Sequence, residues 1–448
     1  MTLKLNTYMI SKMRFAIIAA IVLLSSNVSG QDLSLDQALE IALKNNHNIL
    51  IQQNQSEVAQ RVVNKGNANL LPKVDLNGNL SASQSETDIQ FVTDPKPQTG
   101  LASEALSSSL KVQVSYTIFN GLANVKTYKK LQEQGRLAEL QAKIGIESTL
   151  MQVINSYYDV LRNQEQVAII RSTMAVSADR LNRQQENFKY GSTRKIDVLN
   201  AQVDFNSDSS NLINALQTLE NAKNNLNYLM GRPIDTAFEV IATGSISEGI
   251  KNEEKSLAKS LANNSNLLLA KSQLQISDLD MQINKARYMP VLNGNVSYGY
   301  STSESSPSVV LSNTSIGVTG NLTLAWNLFD GNKRKIALEN AQTSIETSAI
   351  QEEQAKMSIQ VELANYYGLL RSNLTIIDLE TNNLEVAKLN LERSRELFQL
   401  GQIDNVQFRQ AQLNLLNSEI KLNNAKYSAK IMEYQILRLR GELVNNNS

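Results

Sequence analysis

The sequence contains no cysteine and only one histidine, His47, in 448 residues. The chain therefore forms no disulfide, no thiolate metal site and no lipid attachment through sulfur. A lone histidine also falls short of the His, Cys and carboxylate clusters that hold catalytic metals. A glycine-rich phosphate loop, a His-Glu-x-x-His motif and a nucleophile elbow are missing too. We therefore expect no enzymatic activity, no metal site and no bound cofactor.

Neither sign of charge is in excess, because 43 lysines and arginines balance 43 aspartates and glutamates. A chain without a net field does not attract nucleic acid, which we exclude as a partner. An apolar run at residues 15–24 follows Lys12 and Arg14 and precedes small residues, as is typical of a secretory signal peptide. The alternative is a retained membrane anchor. No later run approaches the ~20 apolar residues of a spanning helix, so a mature chain that crosses a membrane must use strands.

Two long segments lack proline and carry apolar residues at every seventh position. In residues 122–189 these positions are Val153, Val160, Val167, Met174, Leu181 and Phe188. In the second half they are Leu363, Leu370, Ile377, Leu384, Leu391 and Phe398. The repeat predicts long helices that supercoil against partner helices. A continuous helix over residues 122–189 extends roughly 100 Å at a rise of ~1.5 Å per residue.

Four shorter segments alternate apolar and polar residues, at 74–82, 110–118, 292–300 and 316–328. They predict strands with one apolar face, and they match the ~9–11 residues of a tilted membrane strand. We expect a polar loop containing Pro95 and Pro97 between the first two strands. The segment from residue 34 to about residue 70 is predicted to be helical, with an interruption at Asn45–Asn48.

A sheet of four strands has two open edges, and unpaired backbone groups do not face lipid. A membrane sheet of this size must therefore close by joining several copies of the chain. Two copies give eight strands and three copies give twelve. The alternative is a sheet that covers a soluble core, but the helices use most of the remaining apolar residues in their seams.

The two halves of the sequence repeat one plan. Pro72 matches Pro290, and Tyr157-Tyr158 matches Tyr366-Tyr367. We predict a signal peptide at 1–30, a first repeat at 31–233 and a second repeat at 257–448, joined by a linker at 234–256. Each repeat is expected to contain a helix, two strands and a long helical hairpin.

Each predicted hairpin turns at a glycine, Gly191 in the first repeat and Gly401 in the second. Glycine readily supplies the positive φ that ends a helix. Ser or Thr directly after the glycine is expected to cap the following helix. We therefore interpret both glycines as the tips of helical hairpins.

The ordered motifs resemble the TolC-like outer-membrane efflux protein family over essentially the whole mature chain. The motifs are Leu33-Ser34-Leu35-Asp36-Gln37-Ala38, Asn45-Asn46-His47, Leu71-Pro72, Phe188-x-x-Gly191, Asp197-Val198-Leu199-x-Ala201-Gln202 and the Leu-x-x-Leu-x-Gly endings of both repeats. The resemblance implies a mainly α protein with a membrane β-barrel. Its long antiparallel coiled-coil helices would form a periplasmic tunnel, and four strands per chain would contribute to a twelve-stranded trimeric barrel.

The resemblance also implies a function: a homotrimeric channel-tunnel in the Gram-negative outer membrane, surrounded by its lipid. Such a channel is the exit duct of a tripartite efflux or type I secretion system. Its partners would be a periplasmic adaptor protein and an inner-membrane transporter of the RND or ABC class. The alternative is a surface or periplasmic structural coiled-coil protein without transport activity, which would not need four amphipathic strands at matched places.

The resemblance further assigns two sets of site residues. The tips that contact the adaptor correspond to Tyr190, Gly191, Ser192, Thr193, Leu400, Gly401, Gln402 and Ile403. The periplasmic constriction corresponds to Asp197, Asn200, Asp404, Gln407 and Gln410. Family members favour cations through aspartates in this region, whereas this chain has an amide at three of these positions. Asp197 is equally well interpreted as a solvated carboxylate in the first turn of a helix.

Overall fold

The computed structural model describes residues 31–91, 94–241, 250, 252–306 and 310–443. The predicted signal peptide and part of the predicted linker lie outside these residues. The helices are α1 (Leu35–Asn45), α2 (His47–Val62), α3 (Ala123–Lys189), α4 (Lys195–Met230), α5 (Glu253–Asn263), α6 (Ser265–Ala286), α7 (Lys333–Gln399) and α8 (Asn405–Leu439). The strands are β1 (Gln31–Leu33), β2 (Lys73–Phe91), β3 (Asp94–Phe119), β4 (Phe238–Val240), β5 (Val291–Ser306) and β6 (Ser312–Ala325).

The chain is mainly helical and divides into two compact units. The first unit comprises the described parts of residues 1–53, 142–265 and 356–448. The second comprises the described parts of residues 54–141 and 266–355. Among the helices that the structure describes, none combines the length and the hydropathy needed to cross a membrane.

The core of the first unit is built around buried tyrosines. The rings of Tyr157 and Tyr158 meet edge to face, with their centroids 5.7 Å apart. The Tyr157 hydroxyl lies 2.9 Å from the carbonyl oxygen of Leu33 and 2.7 Å from that of Ile241. It therefore fastens α3 to the backbone of the parallel pair β1–β4. The Tyr367 hydroxyl of the second repeat is likewise hydrogen-bonded to the carbonyl oxygen of Ile250.

The predicted helix interruption at residues 45–48 is confirmed, and the structure shows its cause. Asn46 is buried between α1 and α2, and its amide donates to the carbonyl oxygen of Leu229 over 2.7 Å. Its own oxygen accepts from the backbone N–H groups of Asn48 and Ile49, which start α2. Asn264 makes the same contact with the carbonyl oxygen of Leu439. A buried asparagine thus ends one helix, starts the next and holds a third.

Glycines complete these two asparagine contacts. Gly231 and Gly441 have φ values of +69° and +68°, a region that other residues rarely adopt. A Cβ at Gly231 would lie 2.4 Å from the carbonyl oxygen of Asn45. One at Gly441 would lie 2.5 Å from that of Asn263. Only glycine fits both the close approach and the turn.

The second unit contains an antiparallel sheet in the order β2-β3-β5-β6. Its register places Leu76 opposite Val112, Val112 opposite Tyr298, and Tyr298 opposite Val318. Because successive side chains alternate between faces, these rows make one face apolar. The neighbouring row, Asp75, Gln113, Ser297 and Thr319, makes the other face polar. The predicted alternation of faces is confirmed.

Several predicted boundaries are wrong, among them the end of β5, which runs to Ser306 rather than residue 300. The polar loop with Pro95 and Pro97 is instead part of a paired hairpin, in which Gln84 lies opposite Glu104 and Phe91 opposite Asp94. Main-chain bonds hold such a ladder whatever the polarity of its side chains. Helix α2 ends at Val62 rather than near residue 70, because the amide of Asn67 bonds the Val62 carbonyl oxygen and Asn69 takes a φ of +54°. Strand β6 ends at Ala325, short of residue 328.

Candidate functional site

The first hairpin tip is a glycine-terminated turn between α3 and α4. Gly191 has a φ of +72°. Its N–H donates to the carbonyl oxygen of Phe188 over 3.0 Å, and the N–H of Ser192 donates to that of Asn187 over 2.9 Å. These bonds satisfy carbonyl groups that the end of α3 leaves open, in the manner of a Schellman motif.

The second tip, between α7 and α8, repeats this backbone. Gly401 has a φ of +71°, and its N–H donates to the carbonyl oxygen of Phe398 over 3.1 Å. The N–H of Gln402 donates to the carbonyl oxygen of Leu397 over 2.9 Å. Both sequence-predicted tips are therefore sharp turns of the same geometry, and nothing lies within 4 Å of a Cβ built on either glycine.

The helices that follow the two tips begin differently. Helix α8 has a capping box, in which the Asp404 carboxylate accepts from the N–H of Gln407 and the Gln407 side chain accepts from the N–H of Asp404. Helix α4 has Arg194 at its N-cap and no side-chain cap. The expectation that Ser192 or Thr193 caps α4 is wrong. The Ser192 hydroxyl donates to the Asn187 carbonyl oxygen of α3, and the Thr193 hydroxyl bonds the Gln184 and Asp197 side chains, so α4 has no side-chain cap.

Of the eight predicted tip residues, most are open to solvent. Tyr190 is 83% exposed and Leu400 is 71% exposed. Ile403 is half-buried instead and packs on a small core of Leu391, Phe408 and Ala411. The Phe398 and Phe408 rings stack with centroids 5.1 Å apart beneath the second tip. Both tips thus present an exposed apolar group, and the second tip does so on a packed base.

The residues predicted for the constriction make mostly local contacts. Asp197 accepts from Arg194 Nε over 3.0 Å and from Nη2 over 3.3 Å. The hydrogen bonds from Arg194 are the main reason that the pKa of Asp197 lies below its usual range. The Gln410 amide bonds Asn414 on the same helix, and Asn200 is exposed. Whether these residues form a constriction depends on other copies of the chain, so that assignment stays a prediction.

A buried network of charged and polar groups lies farther from the tips in the first unit. It joins Arg409 of α8 to Asp208 of α4 through two bonds of 2.7 Å. The Ser177 hydroxyl of α3 donates to the same carboxylate. Arg180, also on α3, pairs with Asp204 of α4. The network therefore fastens α8 to both helices of the first hairpin.

Burial gives this network its strength and its cost. The side chain of Asp208 is 2% exposed and that of Arg409 is 14% exposed. Burial opposes the charge of Arg409, but bonds and charges from Asp208, followed by the charge of Asp204, keep its pKa raised. Arg180 is less well compensated than Arg409. Burial lowers its pKa, and its Nε and Nη1 atoms have no hydrogen-bond partner. The charge of Arg180 is stabilised by its acidic neighbours and by the Phe408 ring, whose centroid lies 5.8 Å from the guanidinium carbon.

Sequence reasoning missed this network, although a signal for it exists. Thr173, Ser177, Arg180 and Gln184 follow one another at spacings of four, three and four, so they line one stripe of α3. This polar stripe runs beside the apolar heptad positions. Gln412 of α8 reaches it and donates to the Thr173 carbonyl oxygen over 2.8 Å. Polar residues at helical spacing next to a seam indicate a buried polar contact.

Comparison with known proteins places this architecture. The family model described as "Outer membrane efflux protein" matches residues 38–232 and 257–442 of the chain. The chain belongs to the outer membrane efflux protein family. As a member, it is an outer membrane protein of the efflux and secretion channel type rather than an enzyme.

Individual relatives of this efflux protein are distant but match along nearly the whole chain. The outer membrane protein TolC of Vibrio cholerae is 21% identical over 432 residues, with 95% of this chain and 94% of that protein covered. The alkaline protease secretion protein AprF of Pseudomonas aeruginosa is 21% identical, with 88% and 82% covered.

Solved structures show the same fold. The Campylobacter jejuni CmeC outer membrane channel superposes with a TM-score of 0.74 at 17% identity, covering 91% of this chain and 86% of that one. The Vibrio cholerae outer membrane protein VceC gives 0.73 at 16% identity, covering 91% and 96%. The predictions of the family and of a mainly helical fold with few strands are therefore confirmed for this efflux protein, and the trimeric barrel stays a prediction.

Proposed function

We propose that this efflux protein works as a homotrimer whose twelve strands close into a barrel in the outer membrane. The observation that carries the proposal is the open sheet. In the part of the chain that the structure describes, β2 and β6 are edge strands, each paired on one side alone. Unpaired backbone groups are unstable in lipid. Pairing β6 of one copy with β2 of the next removes every edge once the ring closes.

The faces of the sheet fit a barrel wall. Leu76, Leu80, Val318 and Leu322 are about 70% exposed in a single chain. Lipid contact would cover these residues, while the polar row around Thr319 would face a water-filled lumen. Strands β5 and β6 have 16 and 14 residues, which exceeds the ~9–11 that a tilted crossing requires. Solutes would cross the membrane through this lumen by passive diffusion, without a chemical reaction.

The two tips supply the docking surface in this proposal. Tyr190 and Leu400 are exposed apolar side chains at hydrogen-bonded glycine turns, a position that favours contact with another protein. The partner would be a periplasmic adaptor, which would connect the channel to an inner-membrane transporter of the RND or ABC class. A relative named for alkaline protease secretion supports the export role.

Single cysteines test the barrel directly, because the natural chain has none. Val318→Cys places a thiol on the apolar face and Thr319→Cys places one on the polar face, one residue apart. In lipid vesicles, a charged thiol reagent should modify the Thr319→Cys protein and reduce its ion conductance. The Val318→Cys protein should resist the reagent in lipid and react once dissolved in urea.

The oligomeric state provides a second reading of the same samples. The purified protein in detergent should have the mass of three chains and should conduct ions in planar bilayers. A soluble monomer, or equal modification of the two cysteines in vesicles, would refute the barrel.

A further inference from the structure

The charge at the tips is organised around one cation, Arg194. Its guanidinium grips the Asp197 carboxylate with two bonds, Nε to Oδ2 at 3.0 Å and Nη2 to Oδ1 at 3.3 Å. A two-point contact of this kind is the strongest pairing that an arginine makes with a carboxylate. The Asp197 side chain is 19% exposed, and Thr193 Oγ1 approaches the same carboxylate at 3.4 Å. Asp197 is therefore a held and compensated charge.

Arg194 also acts on the acid of the second tip. Its pKa is raised, first by the hydrogen bond and charge of Asp197 and then by the charge of Asp404. The Asp404 carboxylate is meanwhile engaged in capping α8, where it accepts from the N–H of Gln407 over 2.8 Å. One arginine thus lies within the field of both acidic residues assigned to the constriction.

The remaining constriction residues add no charge. Asn200, Gln407 and Gln410 are amides. In residues 193–200 the basic Arg194 and Lys195 outnumber Asp197. In residues 402–410 Asp404 is the one acid, and its carboxylate caps α8. Repeating these segments around a three-fold axis would therefore give each chain one carboxylate paired with an arginine and one that caps a helix.

We propose that Arg194 determines the ion selectivity of the tip entrance, so that anionic and neutral solutes pass as readily as cations. The inference rests on the proposed function, because it needs three tips around one pore. A ring of bare carboxylates would concentrate cations and repel anions. A paired aspartate and arginine act together as a dipole, whose field is weak beyond the ~8 Å over which physiological salt screens charge.

Removing the arginine charge tests the assignment. Arg194→Gln keeps a long polar side chain but frees the Asp197 charge. The cation-to-anion permeability ratio, measured from reversal potentials across a KCl gradient, should rise about three-fold or more. Lanthanum ions added on the tip side should then block the current, while leaving the wild-type current unchanged. The double variant Arg194→Gln with Asp197→Asn should restore the wild-type ratio.

A matched control separates this effect from a general loss of positive charge. Arg393 forms a similar pair with Glu396 three residues along α7, at 2.8 Å, with side chains 70% and 54% exposed. Arg393→Gln should leave both the permeability ratio and the lanthanum response at wild-type values.

The outcomes distinguish a failure of the role of Arg194 from a failure of the proposed channel. A wild-type trimer that conducts ions but is already blocked by lanthanum overturns the role of Arg194. The same holds if Arg194→Gln conducts with an unchanged permeability ratio. A wild-type protein that passes no current in bilayers overturns the proposed channel itself, and the selectivity assignment with it.

Discussion

Breaking the buried pair of Asp208 and Arg409 should loosen α8 from the first hairpin. Asp208→Asn removes the charge while preserving the shape and an acceptor for Ser177. Arg409 would keep its bonds to the Ser177 hydroxyl and the Gln412 side chain, but its only remaining anionic neighbour in the network would be Asp204, at 3.7 Å. Removing one partner of a buried ion pair costs about 3–5 kcal/mol. Since the Arg409 side chain retains 14% exposure and one acidic neighbour, we expect roughly the lower end, about 3 kcal/mol.

The coupling between the two residues is the sharper quantity. Arg409→Met should destabilise by a similar amount, because it leaves Asp208 charged and buried. The double variant removes both charges together, so neither charge stays buried without its partner, but Asp208→Asn still leaves a buried amide, so the double variant does not reach the near-neutral outcome of a fully apolar replacement. The double variant should therefore be about 2–3 kcal/mol more stable than the sum of the single effects predicts.

Hydrogen exchange of the detergent-solubilised protein measures this locally, without requiring global unfolding to be reversible. In the single variants, the free energy of opening should fall for amides near Ser177 and Gln412. It should stay constant in the four-stranded sheet of β2, β3, β5 and β6. Arg371→Gln is the control, because its pair with Glu253 is exposed and contributes at most about 1 kcal/mol. Single effects that simply add, within about 0.5 kcal/mol, would refute the view that the pair acts as one unit.

Three further predictions concern the turns and a buried acid. Replacing Gly191 and Gly401 together with leucine should abolish export in cells while trimers persist, and normal export would show that docking occurs elsewhere. Gly231→Ala should lower the melting temperature well beyond Gly191→Ala, because only its Cβ would meet a carbonyl oxygen, at 2.4 Å. Glu147→Gln should stabilise the protein at pH 7: burial raises the pKa of Glu147, so native stability falls as pH rises above 4.5. Urea titrations at several pH values should show this gain disappear in acid, and a constant difference would contradict it.

The long helices were predictable because their pattern is local and repeated. Seven-residue spacing from Val153 to Phe188 predicts a continuous helix, and α3 runs without interruption from Ala123 to Lys189. The turns at Gly191 and Gly401 were predictable as well, since positive φ is a property of glycine itself. Such features depend on residues close together in sequence.

The missed features depend on pairings that the residue types alone do not specify. The β2–β3 extension is stabilised by main-chain pairing. Serine and threonine allow this pairing but do not produce the apolar–polar alternation that predicts a strand. Arg409 and Asp208 are some two hundred residues apart, and neither local sequence indicates that the two side chains form a pair. The tip assignments rest on family resemblance. The spacing of three between Arg194 and Asp197 permits a pair, and the structure shows that the two side chains form one.

The unequal starts of α4 and α8 have a mechanical consequence. A side-chain cap stabilises the beginning of a helix by about 1 kcal/mol. Helix α8 has such a cap in Asp404, whereas α4 begins at Arg194 without one. The first turn of α4 should therefore unwind at a lower free-energy cost than that of α8. Each chain then has a more flexible first tip and a stiffer second tip. A trimer would present three flexible and three stiff tips to a protein that binds there.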